Sequence, residues 1–173
     1  MCGIIGITSS KPVSSAIINS LRKLEYRGYD SAGLATLSEG IINEVKSEGR
    51  VENLEKNIAI KNMQGSVGIG HVRWATHGIP NTVNAHPHSS NNVSIVHNGI
   101  IENSTILKKF LISKGHKFKS QTDTEVIVHL ITEYLKENDL KNSIIKMLNQ
   151  LHGSFALGII FKDQPDLIVG ARR

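Results

Sequence analysis

The only cysteine of the chain stands at position 2, directly after the initiator methionine. A thiolate is a strong nucleophile, but a free thiol has a pKa of about 8.5 and needs a base at neutral pH. Loss of Met1, which is usual before a small residue, would expose the α-amine of Cys2. An amine with a pKa of about 7.7–8.0 can take the thiol proton. Position 2 therefore predicts an N-terminal nucleophile, against the commoner role of a free cysteine as a small buried hydrophobic residue.

Two short segments after predicted strands have the residue types that bind charged parts of a substrate. Arg73 and Trp74 stand at the end of a strand. An arginine there suits bidentate capture of a carboxylate, although a surface ion pair is its more common use. Asn98 and Gly99 follow a second strand. Asn-Gly is typical of a tight turn, but the asparagine amide and the glycine N–H can also both donate to one oxyanion.

Asp123 lies in the run Thr122-Asp123-Thr124-Glu125, which has the S/T-x-x-E pattern of a capping box. A negative charge in the first turn of a helix is favourable by about 0.3–1 kcal/mol, which justifies an aspartate without any function. The alternative is that Asp123 anchors an ammonium group of the substrate.

Five of the eight histidines lie between residues 71 and 97. His86 and His88 are separated by Pro87, and no cysteine or nearby carboxylate completes a set of metal ligands. We therefore expect no metal ion and no cofactor. We expect these histidines to hydrogen-bond loop backbone around a pocket.

Hydrophobic spacing predicts the elements that position these residues. A first helix is expected from Pro12, with Gly28 as its C-terminal glycine, and a second over 51–59. Three more are expected: one after an N-cap at Asn103, one after the capping box, and one around 144–151. A polar loop is expected over 75–92, and strands over 3–8, 32–37, 41–46, 67–73, 93–97, 154–161 and 166–170. Because the strands come in pairs or runs and the helices in pairs, this order predicts antiparallel sheets with layered helices.

Length and composition set wider bounds on the protein. The 173 residues suit one domain, and the 20 Lys and Arg against 15 Asp and Glu leave a net charge of +5. One cysteine cannot form an internal disulfide, and no apolar run approaches the roughly 18 residues of a membrane span. The N-terminus has no basic region typical of a secretory signal. We expect a cytoplasmic protein that binds no membrane.

The densest basic segment, residues 108–119, lies on or just after an amphipathic helix. Few aromatic side chains accompany its lysines, which argues against a surface that stacks bases. We therefore expect a solvated face and no nucleic-acid partner. A basic module that binds a polyanion is the distant alternative, and its affinity would fall steeply with salt.

Six collinear runs together resemble the glutaminase domain of the glucosamine–fructose-6-phosphate aminotransferases, which are class II glutamine amidotransferases of the N-terminal-nucleophile type. The runs are MCGIIG at 1–6, LEYRGYDSAG at 24–33, HVRWATHG at 71–78, NAHPH at 84–88, HNGIIEN at 97–103 and TDTEV at 122–126. Tyr26, Trp74, Thr76, His77 and His86 look like the aminotransferase versions of these motifs. This separates the chain from the amidophosphoribosyltransferases, which are the alternative within the class.

The resemblance implies an α+β fold, a four-layer αββα sandwich of two antiparallel sheets. It implies that Cys2 attacks the side-chain amide of L-glutamine. Asn98 and Gly99 would form the oxyanion hole, Arg73 would bind the α-carboxylate, and Asp123 would bind the α-ammonium group.

Further residues follow from the same resemblance. Arg27 and Gly28 would support the nucleophile through their backbone, and Trp74, Thr76 and His77 would belong to a loop that closes over the substrate. The family enzyme also has a sugar-isomerase domain, which uses the ammonia to convert fructose 6-phosphate to glucosamine 6-phosphate. That domain is the implied partner, and the full-length protein is implied to be a homodimer. Because the sequence stops directly after a predicted strand, we expect residues 1–173 to be a glutaminase domain that is incomplete at its C-terminal end.

Overall fold

The structure, a computed structural model, describes residues 2–61, 63–75 and 78–173. Its strands form two four-stranded antiparallel sheets with the orders β1-β4-β2-β3 and β5-β6-β7-β8. The first sheet contains β1 (Gly3–Thr8), β2 (Ser31–Ser38), β3 (Ile41–Glu48) and β4 (Val67–Arg73). The second contains β5 (His88–Ser89), β6 (Val93–Gly99), β7 (Phe155–Phe161) and β8 (Ile168–Arg172).

In the part of the chain that the structure describes, five α-helices cover the outer faces of the two sheets. Two pack on the first sheet, α1 (Ser14–Leu24) and α2 (Val51–Lys61), and three pack on the second, α3 (Ser104–Ser113), α4 (Glu125–Tyr134) and α5 (Leu140–Gln150). No helix in the described ranges has the length and apolar character needed to cross a membrane.

Three apolar clusters hold these layers together. One lies between α1, α2 and the first sheet, and another between α3, α4, α5 and the second sheet. The third lies between the two sheets, where Leu37, Val67 and Ile69 of the first sheet meet Val96 and Ile160 of the second. This order of layers confirms the predicted αββα sandwich.

Alternation along the strands decides which side chains face the space between the sheets. On β4, Val67 and Ile69 belong to the cluster between the sheets, so Arg73, an even number of residues further on, points the same way. On β6, Val96 faces the first sheet, which places Asn98 on that side. His97 shares the opposite face with Ile95 and points to the helix layer. Asn98 and His97 therefore lie on opposite faces of β6, Asn98 towards the first sheet and His97 towards the helix layer.

Several local predictions at the second sheet are wrong. Asn98 and Gly99 do not form a turn, because β6 continues through both and pairs them with Ala156 and Phe155 of β7. The predicted loop over 75–92 contains the two-residue strand β5, which pairs with Ile95 and Ser94. In both cases the neighbouring strands complete a ladder that local sequence does not reveal.

The predicted helix ends also need correction. Asn103 stands at the N-cap of α3 but makes no capping bond, because its side chain bonds Gln150 and His152 across the loop. The Thr122–Glu125 capping box does not form: α4 begins at Glu125, whose carboxylate accepts instead from Lys119 and Ser120. Gly28 follows a short 3-10 turn, not α1 itself, and its φ of −177° is extended rather than left-handed.

Candidate active site

A pocket of about 280 Å³ opens where β1 begins and where β4 and β6 end, on the same side of the sandwich. It brings together Cys2, Arg73, Trp74, Asn98, Gly99 and Asp123, and its other lining residues are His86, His97, Ile100, Thr122 and Thr124. Most of the predicted site therefore lies in one cavity, although its members are up to about 120 positions apart in the chain. Its volume is close to the lower end of the range for small-molecule sites, about 300–1,000 Å³.

The Cys2 thiol is partly buried at this pocket and contacts the backbone of Trp74. The Trp74 N–H lies 3.4 Å from Cys2 Sγ, and the thiol lies 3.6 Å from the Trp74 carbonyl. Burial raises the pKa of the Cys2 thiol above its ordinary value, and the Trp74 N–H and the Arg73 charge offset this only in part. The thiol is therefore protonated at neutral pH, and a nucleophilic role requires a base.

Two side chains hold the backbone of the cysteine. Arg27 donates from Nε to the Cys2 carbonyl at 2.9 Å, and Asn98 donates from Nδ2 to the same oxygen at 3.2 Å. The resemblance implied a role for the Arg27 backbone, whereas this contact comes from its guanidinium. The Asn98 amide has two hydrogens, so this bond leaves the second for a ligand in the pocket.

Gly28 allows the Arg73–Trp74 peptide to approach its backbone closely. A Cβ at Gly28 would lie 2.6 Å from the Arg73 carbonyl carbon and 2.8 Å from the Trp74 nitrogen. Any side chain here would push away the peptide whose N–H contacts Cys2 Sγ.

Gly99 presents its N–H on the side of β6 away from β7. Ile100 donates to the Ser154 carbonyl, and the pairing of an antiparallel ladder alternates, so Gly99 opposite Phe155 is a non-bonded position. The backbone groups of Phe155 bond Arg173 instead. Gly99 has φ of +137°, and a Cβ would lie 2.2 Å from the Ser154 oxygen, so only glycine fits this position.

The Arg73 guanidinium is buried, with its side chain 4% exposed, so the interpretation as a surface ion pair is wrong. Its Nη atoms lie 3.4 Å and 3.5 Å from the carbonyls of Gly78 and Ile79. Asp30 Oδ1 is 3.9 Å from Nη1. A guanidinium at the wall of the pocket can pair with a carboxylate through two parallel hydrogen bonds.

Asp123 lies on the opposite wall, just before α4. Its Oδ2 accepts the Ile101 N–H at 2.7 Å, and its Oδ1 is 4.0 Å from His97 Nδ1. The side chain is 8% exposed. Arg73 and Asp123 thus give the pocket one buried cation and one buried anion.

Sequence reasoning gave no role to residues that hold the pocket walls. Asp30 accepts the Ala75 N–H and the Ser31 hydroxyl, and thereby fixes the chain just after Arg73. Asn84 and Gln121 bond each other and the Ile79 backbone. Both Asp30 and Asn84 stand inside the family-like runs, which was the available signal.

Four buried histidines form a layer beneath the pocket: His71, His86, His88 and His97. The His71 and His86 rings stack at 4.2 Å, and the His86 and His88 rings meet edge-on at 4.8 Å. Burial lowers the pKa of His71 and of His88 to about 3, and lowers the pKa of His86 well below its ordinary value. These three rings are therefore neutral at pH 7.

Most partners of this layer are not the loop backbone that the sequence predicted. His71 bonds a backbone oxygen, that of His97, at 2.9 Å, whereas His86 and His97 bond the hydroxyl of Thr124 and His88 bonds that of Thr122. Within the described ranges, no three histidine, cysteine or acidic side chains are placed to hold a metal ion.

Trp74 borders the pocket with 48% of its surface exposed, and its ring meets Tyr29 edge-on at 5.5 Å. Thr76 and His77, the other predicted members of the closing loop, lie outside the described residues. Their role in substrate binding stays a prediction.

Known proteins similar to this chain share one class of domain. A family model described as a glutamine amidotransferase domain matches residues 71–173. The chain is 51% identical over its whole length to a glutamine–fructose-6-phosphate aminotransferase (isomerizing) of Clostridium acetobutylicum, and 48% identical over 99% of its length to one of Zymomonas mobilis. It spans 29% and 28% of these two relatives, which is less than a third of their length.

Solved structures give the same picture at lower identity. The glutamine phosphoribosylpyrophosphate amidotransferase of B. subtilis superimposes with a TM-score of 0.81 at 29% identity, over 94% of this chain and 35% of that one. A glutamine aminotransferase class-II domain protein of Silicibacter pomeroyi has a TM-score of 0.67 at 12% identity, over 99% and 76% of the two chains, and shows likeness of fold alone.

Proposed function

The chain belongs to the glutamine amidotransferase family, and from this premise we propose that it hydrolyses L-glutamine to glutamate and ammonia with Cys2 as the nucleophile. One observation carries the proposal: the thiol shares a pocket with an amide donor at Asn98 and with a buried cation and anion. A substrate that is zwitterionic at one end and an amide at the other matches this set of groups.

The base in this proposal is the α-amine of Cys2 itself, exposed by loss of Met1. Burial raises the pKa of the thiol, so the reaction needs a group that takes its proton. The three histidines with lowered pKa point their bonded nitrogens to Thr122, Thr124 and the His97 backbone, not to Sγ. A terminal amine has a pKa of about 7.7–8.0 and can act near neutral pH.

The proposed reaction proceeds in two displacements. The amine takes the thiol proton, and Sγ attacks the amide carbon of glutamine to form a tetrahedral oxyanion. Asn98 Nδ2 and the Gly99 N–H donate to this oxyanion. The carbon–nitrogen bond then breaks, the amine returns the proton to the leaving nitrogen, and ammonia departs. Water attacks the γ-glutamyl thioester, which releases glutamate and restores the thiol.

The two buried charges orient the substrate. Arg73 pairs with its α-carboxylate and Asp123 with its α-ammonium group, which holds the side-chain amide towards Cys2. A charge-assisted hydrogen bond contributes about 1.5–3 kcal/mol, so the pair discriminates strongly against analogues that lack either group. Thr76 and His77 are proposed to join Trp74 in covering the bound substrate.

For the whole protein we propose the activity named for its relatives, glutamine–fructose-6-phosphate amination. The ammonia would then convert fructose 6-phosphate to glucosamine 6-phosphate in a sugar-isomerase domain, which is the proposed partner. Identities near 50% to such aminotransferases, against 29% to the phosphoribosylpyrophosphate enzyme, favour this over the amidophosphoribosyl alternative. A homodimer and a cytoplasmic location stay predictions from the sequence.

The test uses the chain after removal of Met1, verified by intact mass. We expect glutamine hydrolysis by this protein and none by Cys2→Ala. The reactive glutamine analogue 6-diazo-5-oxo-norleucine should add once per chain, and because Cys2 is the only cysteine, thiol modification is assigned without ambiguity. Full turnover by Cys2→Ala, or no adduct on Met1-free protein, would reject the proposal.

A further inference from the structure

The Thr124 hydroxyl joins two histidines that come from different parts of the pocket. Its Oγ1 lies 2.8 Å from His86 Nε2 and 2.8 Å from His97 Nδ1. The residue is 1% exposed, so no solvent replaces these partners. A hydroxyl has one hydrogen, and it therefore donates to one ring and accepts from the other. Thr124 thus connects the start of α4 with β6 and with the segment that leads into β5.

We propose that Thr124 is a positioning residue, whose hydroxyl fixes the separation of Asn98 and Asp123 across the pocket. This inference rests on the proposed function, which assigns those two residues to opposite ends of glutamine. Asp123 directly precedes Thr124, and Asn98 directly follows His97. The bond from Thr124 to His97 is therefore one residue away from both groups that contact the substrate.

A second hydrogen bond makes this connection rigid. Asp123 Oδ2 accepts the Ile101 N–H at 2.7 Å. The start of α4 is thus tied to the segment 97–101 at two points, one on each side of Asn98. Without the bond from Thr124, one of these two hydrogen bonds is lost, and the amide donor can move relative to the ammonium site.

The nearby carboxylate of Asp123 determines which group donates and which accepts in these hydrogen bonds. Asp123 Oδ1 is 4.0 Å from His97 Nδ1, and a negative charge there favours the proton on that nitrogen. His97 then donates to Thr124, and Thr124 donates to His86 Nε2. A neutral His86 ring is required for this acceptance, and burial, which lowers the pKa of His86, keeps it neutral.

A purely structural role would be that the hydroxyl satisfies two buried rings without affecting the substrate. Thr132 offers a matched control on the same helix, since its hydroxyl donates to the Val128 carbonyl and lies 3.0 Å from Ser90 Oγ, away from the pocket. Replacement of either threonine by valine keeps shape and removes one partly or fully buried hydroxyl. Only the change at Thr124 should alter catalysis.

The experiment measures kcat and KM for glutamine hydrolysis on Met1-free protein, together with the rate at which iodoacetamide alkylates Cys2. We expect Thr124→Val to lower kcat/KM about tenfold or more, because two hydrogen bonds are lost and buried histidine nitrogens are left without a partner for them. Thr124→Ser should restore kcat/KM to within about threefold, and Thr132→Val should stay within about twofold. Alkylation should change less than about twofold in all variants, because the thiol contacts none of these residues.

Thr124→Val with wild-type kcat/KM would overturn the inference, and so would Thr124→Ser as impaired as the valine variant or Thr132→Val equally impaired. Should Thr124→Val fail to fold, His97→Asn, which keeps a donor near the Nδ1 position, is compared with His97→Leu. Equal activity of those two variants would also overturn it. An inactive wild type that 6-diazo-5-oxo-norleucine does not label would instead reject the proposed function, so the two failures are distinguishable.

Discussion

Three buried histidines beneath the pocket should make the fold unstable in mild acid. His71, His86 and His88 are each at most 6% exposed, and burial lowers the pKa of each ring, to about 3 for His71 and His88. In the unfolded chain a histidine has a pKa of about 6.5. Between the two values the unfolded state binds more protons, so stability is complete above about pH 6.5 and falls as the pH decreases towards 3.

The size of the effect follows from the linkage relation. Between pH 7 and pH 5 an unfolded ring becomes almost fully protonated while the folded ring stays neutral, which costs about 2 kcal/mol for each histidine. Three rings cost about 6 kcal/mol, against a total stability of about 5–15 kcal/mol for a typical domain. Burial alone would raise the pKa of Glu125, but its hydrogen bonds lower it to about 2. The contribution of Glu125 to folding stability is therefore lost only below about pH 4.5, outside this pH range.

Urea unfolding at pH 7, 6 and 5, followed by circular dichroism, measures this loss. The variant His88→Gln removes one titrating ring and keeps a polar group near the Nε2 position, which bonds Thr122. We expect its free energy of unfolding to fall by about 2 kcal/mol less than that of the wild type over this range. His152→Gln, at an exposed ring, is the control.

Two results would refute the reasoning. One is a wild-type loss of less than about 2 kcal/mol between pH 7 and pH 5, which would mean that at most one ring is held neutral. The other is a His88→Gln variant with the full pH dependence of the wild type.

Two further predictions concern the pocket itself. Gly28→Ala should reduce glutamine hydrolysis at least about tenfold while circular dichroism stays unchanged, because its Cβ would lie 2.6 Å from the Arg73 carbonyl carbon and displace the next peptide; activity within twofold would contradict this. Asp123→Asn keeps an acceptor for the Ile101 N–H but removes the charge, so kcat/KM should fall about 10- to 150-fold. Asp139→Asn, at an exposed helix cap, should leave kcat/KM unchanged, and equal losses in the two variants would count against an ammonium site at Asp123.

The order of strands and helices was predictable because alternation and helical spacing are local signals. The β2–β3 hairpin is an example, because Gly40 lies between the two predicted strands and adopts its φ of 70° without steric cost. That the Thr122–Glu125 capping box does not form was not predictable from such local signals. Its pattern is present, yet Glu125 turns back to Lys119 and Ser120, since those N–H groups come within reach only after the chain folds.

The candidate site likewise has a part that was predictable from the sequence and a part that was not. Motifs identified the residues that line the pocket, since reacting groups are constrained in type as well as in place. The residues that hold them were missed or misassigned, because their role depends on a partner far away in the chain. Arg27 reaches Cys2 through its side chain, and Thr124 bonds rings 38 and 27 positions away. No local pattern specifies such pairs.

The neutral rings of His71, His86 and His88 also explain how two charges can define the polarity of the pocket. In the proposed function the field of Arg73 and Asp123 orients a zwitterion, and a third charge beneath them would weaken one end of that field. Imidazole both donates and accepts hydrogen bonds while uncharged, and burial keeps it so. Protonating this layer costs folding free energy before it can add charge to the pocket. Loss of activity in mild acid should therefore combine two effects, protonation of the Cys2 α-amine that serves as base and unfolding as these rings take up protons.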